Sequence, residues 1–209
     1  MTDGRRLRGE RSRESILART VALASVDGLS GLTLGRLAEA AGVSKSGFFA
    51  HWRDKEELQL DAVDWAARQW VDHIVRPAMH APAGVRRLLA MHEARLRFYE
   101  DGVLPGGCFF FVAQAEFDDR PGPVRDKVAK AMSDWLKAVR GMAEEALALG
   151  ELLPGTDPGL LAFEINALGE ATVAHARLIG SAEAYAYSRA AVLHRLRALC
   201  PDPELLPEA

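Results

Sequence analysis

Apolar residues recur at spacings of three and four along almost the whole chain, and no alternating strand pattern persists. This period is typical of amphipathic helices that bury one face. Glycine, proline and capping residues divide the pattern into segments with short connections between them. We therefore predict an all-α fold of about nine helices. The very apolar segment 108–117 is also predicted to be a helix, although apolar runs of this length can be buried strands.

The predicted helices follow one another closely from residue 15 onwards. The residues before them are expected to form a basic arm that stays disordered in the absence of DNA. The long helix that opens at Asp54 is expected to stop before Pro77, because proline breaks a helix interior. The predicted helical segments are 15–26, 34–41, 45–50, 54–76, 82–101, 108–117, 123–149, 157–179 and 182–199.

Two short predicted helices joined by a glycine-containing turn form the most informative unit. Thr33 can cap the first helix, and Ser44 can cap the second. Such a pair is typical of a helix-turn-helix, whose second helix places its N-terminal residues against base edges in the major groove. Small polar residues and one lysine occupy that N-terminus, at 44–47, whereas Phe48 and Trp52 are expected to pack inward.

Charge is distributed unevenly along the chain. The 209 residues have a net charge of −3, which by itself argues against a nucleic-acid partner. Residues 1–55, however, carry ten Lys and Arg against six Asp and Glu, a balance of +4, whereas residues 56–209 balance at −7. A basic head on an acidic body is a recognised indication of nucleic-acid binding. We call residues 1–55 the head and residues 56–209 the body.

An ordered set of residues extends through the head into the following helix. Its members are Ile16-Leu17, Gly28, Thr33, Leu37-Ala38, Ala41-Gly42-Val43-Ser44, Phe48-Phe49, His51-Trp52 and Lys55-Glu56. In this order and spacing the segment 16–58 resembles the N-terminal domain of the TetR family of transcriptional regulators. The resemblance implies a three-helix DNA-binding domain at 1–55. It also implies an effector-binding and dimerisation domain at 56–209.

The resemblance implies roles in DNA binding for matching positions. Thr33 corresponds to a phosphate contact, the run 44–46 to the groove-facing start of the recognition helix, and His51 to a backbone contact beside the groove. Two positions depart from the family pattern, since Gly47 and Phe49 each lack a hydroxyl group that the family often has. The predicted DNA-binding residues are Thr33, Arg36, Ser44, Lys45, Ser46, Gly47, Phe49, His51 and Lys55.

The body is expected to bind a ligand and to form a homodimer. Pockets in helical proteins lie between helices and are lined by apolar and aromatic side chains with a few polar groups. Small and apolar residues on the last two helices would let two chains form a four-helix bundle, and a two-fold dimer suits a palindromic operator. The candidate ligand-binding residues are Trp65, Phe98, Cys108, Phe111, Gln114, Trp135, Asn166, Glu170 and His175.

No pattern in the chain indicates an enzyme, a cofactor, a metal site or a membrane protein. Cys108 and Cys200 form no zinc pattern or disulfide framework, which favours reduced thiols in the cytoplasm. The N-terminus lacks the apolar region of a signal peptide, and no apolar run approaches the ~18–20 residues of a membrane span. Motifs such as HExxH, GxSxG and GxGxxG are absent from the sequence.

These observations together predict a cytoplasmic, dimeric transcriptional regulator. The preferred interpretation is a repressor that a small, largely apolar molecule releases from its operator. Two alternatives stay open at this point. One is a DNA-binding regulator with no small-molecule effector, and the other is a helical small-molecule-binding protein that no longer binds DNA.

Overall fold

The computed structural model describes residues 3–44 and 48–208, and the regular structure within these ranges is helical, as predicted. The apolar segment after Cys108 is a helix rather than a strand. In chain order the helices are α1 (Asp3–Asp27), α2 (Leu34–Ala40), α3 (Lys55–Trp70), α4 (Val85–Glu100), α5 (Phe109–Phe117), α6 (Pro123–Ala148), α7 (Pro158–Leu178) and α8 (Glu183–Leu199). A 3-10 turn, Pro203–Leu205, follows α8.

The chain forms two compact units. The first unit consists of Met1–Arg68 and Leu104–Ala131, and the second consists of Gln69–Val103 and Met132–Ala209. The first unit therefore combines the head with a segment that lies far along the body in sequence. The functional boundary at residue 55 stays a prediction.

Helix α1 begins at Asp3, so the prediction of a disordered N-terminal arm is wrong. The C-terminal half of α1 is anchored by side chains such as Ile16, Leu17 and Val21, each at most 1% exposed. Extending an existing helix is much easier than nucleating one. The preceding residues are rich in Arg and Glu, which are good helix formers. The helix therefore continues through the basic segment instead of ending at residue 15.

The helical segment that begins with α3 continues beyond residue 76, where it was predicted to stop before Pro77. This corrects a second expectation. A π-helical turn, Val71–Val75, follows α3, and a last helical turn, Arg76–Ala78, contains the proline. In a regular α-helix the proline ring clashes with the carbonyl four residues earlier. Here the N–H of Arg76 donates to the carbonyl of Val71, five residues back. This wider turn accommodates Pro77 within the helix.

The core of the first unit contains the aromatic pair that was predicted to face inward. Phe48 and Trp52 are each 1% exposed, and their ring centroids are 5.3 Å apart. The indole Nε1 of Trp52 donates a hydrogen bond of 2.5 Å to Asp61.

The loop before α5 approaches α1 closely. A Cβ atom on Gly106 would lie only 1.7 Å from the carbonyl oxygen of Ser25, so only glycine fits here. The N–H of Gly106 also donates to the Ser25 hydroxyl at 2.9 Å, so the loop before α5 packs against α1 within the first unit.

Two helix starts in the second unit depend on carboxylates. Helix α4 begins at Val85 rather than at the predicted residue 82, and its first N–H donates to the Glu151 carboxylate at 2.8 Å. Glu151 therefore serves as a distant cap for a helix whose own N-cap residue, Gly84, has no side chain. Asp157 lies where a helix was predicted to start, and it caps α7 by accepting hydrogen bonds from the first two N–H groups of that helix.

Candidate DNA-binding surface and ligand-binding region

The described part of the helix-turn-helix includes the predicted cap of its first helix. The Thr33 hydroxyl accepts a hydrogen bond of 3.3 Å from the N–H of Arg36 and thereby caps α2. Gly42 follows α2 with a φ of +65°, a conformation that glycine adopts readily. Beyond the turn, the N–H of Phe48 donates to the carbonyl of Ser44 at 3.0 Å, the spacing of a helical hydrogen bond. The predicted contacts Lys45, Ser46 and Gly47 lie outside the described residues.

Four of the predicted DNA contacts are exposed in the first unit: Thr33, Arg36, Ser44 and Phe49. The two neighbouring phenylalanines point in opposite senses, since Phe49 is 50% exposed and Phe48 is 1% exposed. An outward aromatic ring beside the recognition helix can pack against a DNA sugar. The guanidinium of Arg36 forms an ion pair of 2.8 Å with Asp27. Such solvent-exposed pairs are weak and can exchange with a phosphate.

The two remaining predicted contacts are half-buried and have partners within the protein. His51 Nε2 lies 3.3 Å from the hydroxyl of Ser12, a residue in the N-terminal turns of α1 that precede its predicted start. The ammonium group of Lys55 donates to the carbonyl of Ser30. An ammonium group has three donors, so this contact leaves Lys55 with donor capacity for a phosphate.

The candidate ligand-binding residues divide between the two units. Trp65, Cys108, Phe111 and Gln114 belong to the first unit, and Phe98, Trp135, Asn166, Glu170 and His175 belong to the second. Cys108 is buried, and its sulfur accepts a hydrogen bond of 3.4 Å from the N–H of Phe111. Trp65, Phe111 and Gln114 are half-buried, and His175 is exposed near the end of α7. Their roles in ligand binding stay predictions.

Three candidates of the second unit meet in one hydrogen-bonded chain. The indole Nε1 of Trp135 donates to Asn166 Oδ1 at 3.0 Å, and Asn166 Nδ2 donates to Glu170 at 3.1 Å. The fourth candidate, Phe98, is buried on α4, and its ring lies 6.0 Å from that of Tyr99. A row of polar groups on otherwise apolar helices is the kind of lining that orients a ligand.

Sequence reasoning missed the residue at the centre of this cluster, Arg95. It is 1% exposed, and its guanidinium donates to the Tyr99 hydroxyl at 2.6 Å and to Asn166 Oδ1 at 3.1 Å. The same group lies 5.3 Å from the ring centroid of Trp135 and 5.8 Å from that of Trp70, within range of cation–π attraction. We call these five residues the Arg95 cluster. Because Arg95 stands at an apolar position of the helical pattern, the sequence did contain a signal for its burial.

A buried histidine lies one helical turn from Arg95. His92 is 1% exposed, and its Nε2 lies 3.1 Å from the Ser188 hydroxyl on α8. Burial, reinforced by the nearby charge of Arg95, lowers the pKa of His92 to about 4. The imidazole is therefore neutral at neutral pH. Its Nδ1 is buried and has no hydrogen-bond partner among the described residues.

Residues 3–44 and 48–208 show no sign of a metal centre or of a membrane span. No group of three or more His, Cys, Asp or Glu residues there could hold a metal ion. None of the described helices has the length and apolar character needed to cross a membrane.

A helix-turn-helix at the N-terminus of an otherwise helical chain defines a class of DNA-binding transcriptional regulators. The family model for bacterial regulatory proteins of the tetR family matches residues 16–62. The model for the tetracyclin repressor-like C-terminal domain matches residues 84–192, more than half of the chain. The chain therefore belongs to the TetR family of transcriptional regulators, as its sequence motifs imply.

Solved structures share the fold over nearly the full chain. A TetR transcriptional regulator from Chloroflexus aurantiacus is 26% identical, with a TM-score of 0.85 over 92% of this chain and 98% of that one. A TetR-family regulator from Cytophaga hutchinsonii is 22% identical, with a TM-score of 0.81 over 93% and 98% of the two chains. AibR, in complex with isovaleryl coenzyme A and operator DNA, is 16% identical, with a TM-score of 0.68 over 91% and 98%. No curated protein matches the chain in sequence.

Proposed function

We propose that this protein is a cytoplasmic, dimeric repressor that a small, largely apolar molecule releases from a palindromic operator. The observation that carries the proposal is the outward-facing helix-turn-helix, in which Thr33, Ser44 and Phe49 are exposed while Phe48 is buried. The positive charge balance of the head favours binding of this face to phosphates.

The predicted contacts have distinct roles in this proposal. Ser44, Lys45 and Ser46 read base edges from the N-terminus of the recognition helix, and Gly47 faces the same groove without the hydroxyl group that the family often has there. Contacts to the DNA backbone fix the position of the protein along the duplex. We assign them to Thr33, Arg36, Phe49, His51 and Lys55.

Exposed apolar surface on the last two helices supports the homodimer. Phe163 on α7 is 64% exposed, and Tyr187 on α8 is 65% exposed. Small residues such as Ala167, Ala171 and Ala190 are exposed on the same two helices and would allow close approach of a second chain. Paired helices from two subunits then place two recognition helices against two half-sites of the operator.

The Arg95 cluster supports effector binding in the second unit, because it offers aromatic faces and polar groups between helices. AibR, which has the same fold, was crystallised with an acyl-coenzyme A and DNA. In the proposed mechanism the effector has a higher affinity for the conformation that cannot bind the operator. It therefore shifts the population away from DNA by its difference in affinity.

The test begins with selection of DNA sequences that the wild-type protein binds. The double variant K45A/H51A should then weaken operator binding by about tenfold or more per lost contact, with the dimer still folded. The matched control K137A/H80A removes the same residue types at exposed positions outside the head and should bind as the wild type does.

Each alternative has its own outcome. Unchanged affinity in K45A/H51A would overturn the assignment of these contacts. Wild-type protein without salt-dependent DNA binding would favour a small-molecule-binding protein that no longer binds DNA. Operator affinity that no compound in a ligand screen changes would favour a regulator with no effector.

A further inference from the structure

A short loop leads from α1 into the helix-turn-helix. At two successive residues of this loop, Leu29 and Ser30, both backbone groups form hydrogen bonds with side chains from other parts of the first unit. The N–H groups of Leu29 and Ser30 donate to the Glu116 carboxylate, at 2.6 and 2.9 Å. The carbonyl of Leu29 accepts a hydrogen bond of 3.2 Å from Gln59, and the carbonyl of Ser30 accepts one from Lys55. Backbone groups outside helices and sheets need such partners, so these contacts determine the loop conformation.

Glu116, on α5, is the residue that binds both N–H groups. Its carboxylate lies close to Gly28, where a Cβ would be 2.9 Å from Glu116 Oε1, and the φ of +79° at this position favours glycine. The Ser30 hydroxyl also contacts Glu116 and accepts a hydrogen bond of 2.8 Å from Arg120. Hydrogen bonds to a charged acceptor are about twice as strong as neutral ones, which makes Glu116 the main attachment of the loop.

The loop in turn positions the N-terminus of α2. Leu29 and Leu32 are each 1% exposed, so the short segment between them is fixed at both ends. Thr33 follows immediately and caps α2, and Arg36 lies in the first turn of that helix. Both are predicted contacts to the DNA backbone. A shift of the loop would therefore move these two side chains together.

We infer that Glu116 is a positioning residue for DNA binding and that 104–131, although outside the predicted head, is part of the DNA-binding unit. The inference rests on the proposed function, because it requires that the helix-turn-helix binds DNA. Glu116 touches no DNA in this inference. It acts through the N–H groups of Leu29 and Ser30 on the placement of Thr33 and Arg36.

The chain offers a matched control for Glu116 in its second unit. Glu151 also accepts a hydrogen bond from a backbone N–H, that of Val85, beside a glycine of positive φ, Gly84. The variants E116Q and E151Q therefore remove the same charge from the same kind of contact. We expect E116Q to weaken operator binding by about tenfold or more, the effect of losing one charge-assisted contact, and E151Q to leave it within about twofold.

A double-mutant cycle separates positioning from a general effect on folding. If Glu116 acts through α2, E116Q should weaken operator binding less in a T33A background than in the wild type, because the contact that it positions is already lost. Binding is measured on the full chain at one salt concentration, with circular dichroism reporting that each variant is folded. The milder variant S30A removes the hydroxyl contacts to Glu116 and Arg120 but keeps the N–H contacts of Leu29 and Ser30, so it tests the same loop if E116Q is unfolded. It should weaken binding by about threefold, less than E116Q does, because the two N–H contacts remain.

The outcomes distinguish this inference from the proposed function. Wild-type protein that binds the operator, together with folded E116Q of equal affinity, overturns the inference and leaves the proposed function intact. Strictly additive effects of E116Q and T33A also overturn it, as does unchanged binding by S30A when E116Q is unfolded. Wild-type protein without salt-dependent DNA binding overturns the proposed function, and the inference with it.

Discussion

Glu116 in the first unit and Glu151 in the second make closely similar contacts with different consequences. Each carboxylate accepts hydrogen bonds from backbone N–H groups beside a glycine of positive φ. Glu151 caps the start of α4 and also lies 3.5 Å from Arg86, so it stabilises a helix within the body. Glu116 holds an irregular loop that leads into the proposed DNA-binding helices. If Glu116 positions the DNA-binding helices as we infer, the function of such a contact depends on what the captured segment carries, and not on the contact itself.

A second contrast concerns where each unit keeps its polar groups. In the first unit they hold a loop and join helix surfaces, as Glu116 and Lys127 do; Lys127 forms a 2.5 Å ion pair with Asp64. In the second unit polar groups also cap a helix, as Glu151 does, but Arg95 and its partners form in addition a buried charged cluster. We therefore expect changes in the first unit to affect DNA affinity, and changes in the Arg95 cluster to affect stability and effector response.

The largest effect is expected from R95A. Removing the side chain leaves a cavity beside Trp135 and removes hydrogen bonds from Asn166 and the Tyr99 hydroxyl, so unfolding should become easier by about 3–5 kcal/mol. Urea denaturation measures this change. The variant R95M fills most of the volume and should lose less stability. A loss below about 1 kcal/mol in R95A would mean that the cluster does not hold the second unit together.

The next effect compares two close glycines. In G106A the new Cβ would lie 1.7 Å from the backbone oxygen of Ser25, which cannot move without displacing α1. We expect a loss of about 3 kcal/mol and weaker operator binding. In G84A the Cβ would lie 1.8 Å from the carboxylate of Glu151, a flexible side chain that can swing away. The loss there should be about 1–2 kcal/mol, from backbone strain and the lost cap, with operator affinity unchanged. Urea denaturation and operator titration measure both effects. Equal losses of unfolding free energy in the two variants, or weaker operator binding by G84A, would contradict the expected difference between the two glycines.

These contacts also show which features the sequence could predict. The helical period, the capping residues and the glycine turn are local signals, and they predicted the all-α fold, the cap at Thr33 and the burial of Phe48 and Trp52. Glu116 and Glu151 capture N–H groups as many as 87 and 66 residues away, and no local pattern encodes such pairs.

The candidate ligand residues show the same limit. Trp135, Asn166 and Glu170 could be selected as polar or aromatic residues on apolar helices, and they do meet in one chain of hydrogen bonds. Arg95, which joins them from α4, was missed because arginine is ordinarily a surface residue. The disordered arm was predicted wrongly because its composition was judged apart from the anchored helix that it extends.

The third effect is a pH dependence that belongs to the second unit. The pKa of His92 is about 4 in the folded chain and about 6.5 in an unfolded one, so the unfolded state binds the extra proton between these values. The contribution of His92 to the free energy of unfolding is therefore complete above pH 6.5 and is lost as the pH falls towards 4. Between pH 7 and pH 4.5 we expect the free energy of unfolding to fall by about 2 kcal/mol because of this group. Denaturation of the wild type and of H92L at both pH values measures the difference, and equal slopes for the two proteins would contradict the prediction.

The smallest effect compares the N-caps Thr33 and Asp157, one in each unit. Asp157 accepts hydrogen bonds from two N–H groups, at 2.8 and 3.2 Å, whereas Thr33 accepts one at 3.3 Å. D157A should therefore lower stability by about 1 kcal/mol and T33A by about 0.5 kcal/mol. Operator affinity should show the reverse order, with T33A weakened several-fold and D157A unchanged, because Thr33 is assigned a phosphate contact as well as a cap. Urea midpoints and operator titrations on the same preparations measure both quantities. If T33A bound the operator as the wild type does, Thr33 would be a helix cap alone, and the functional difference between these two caps would disappear.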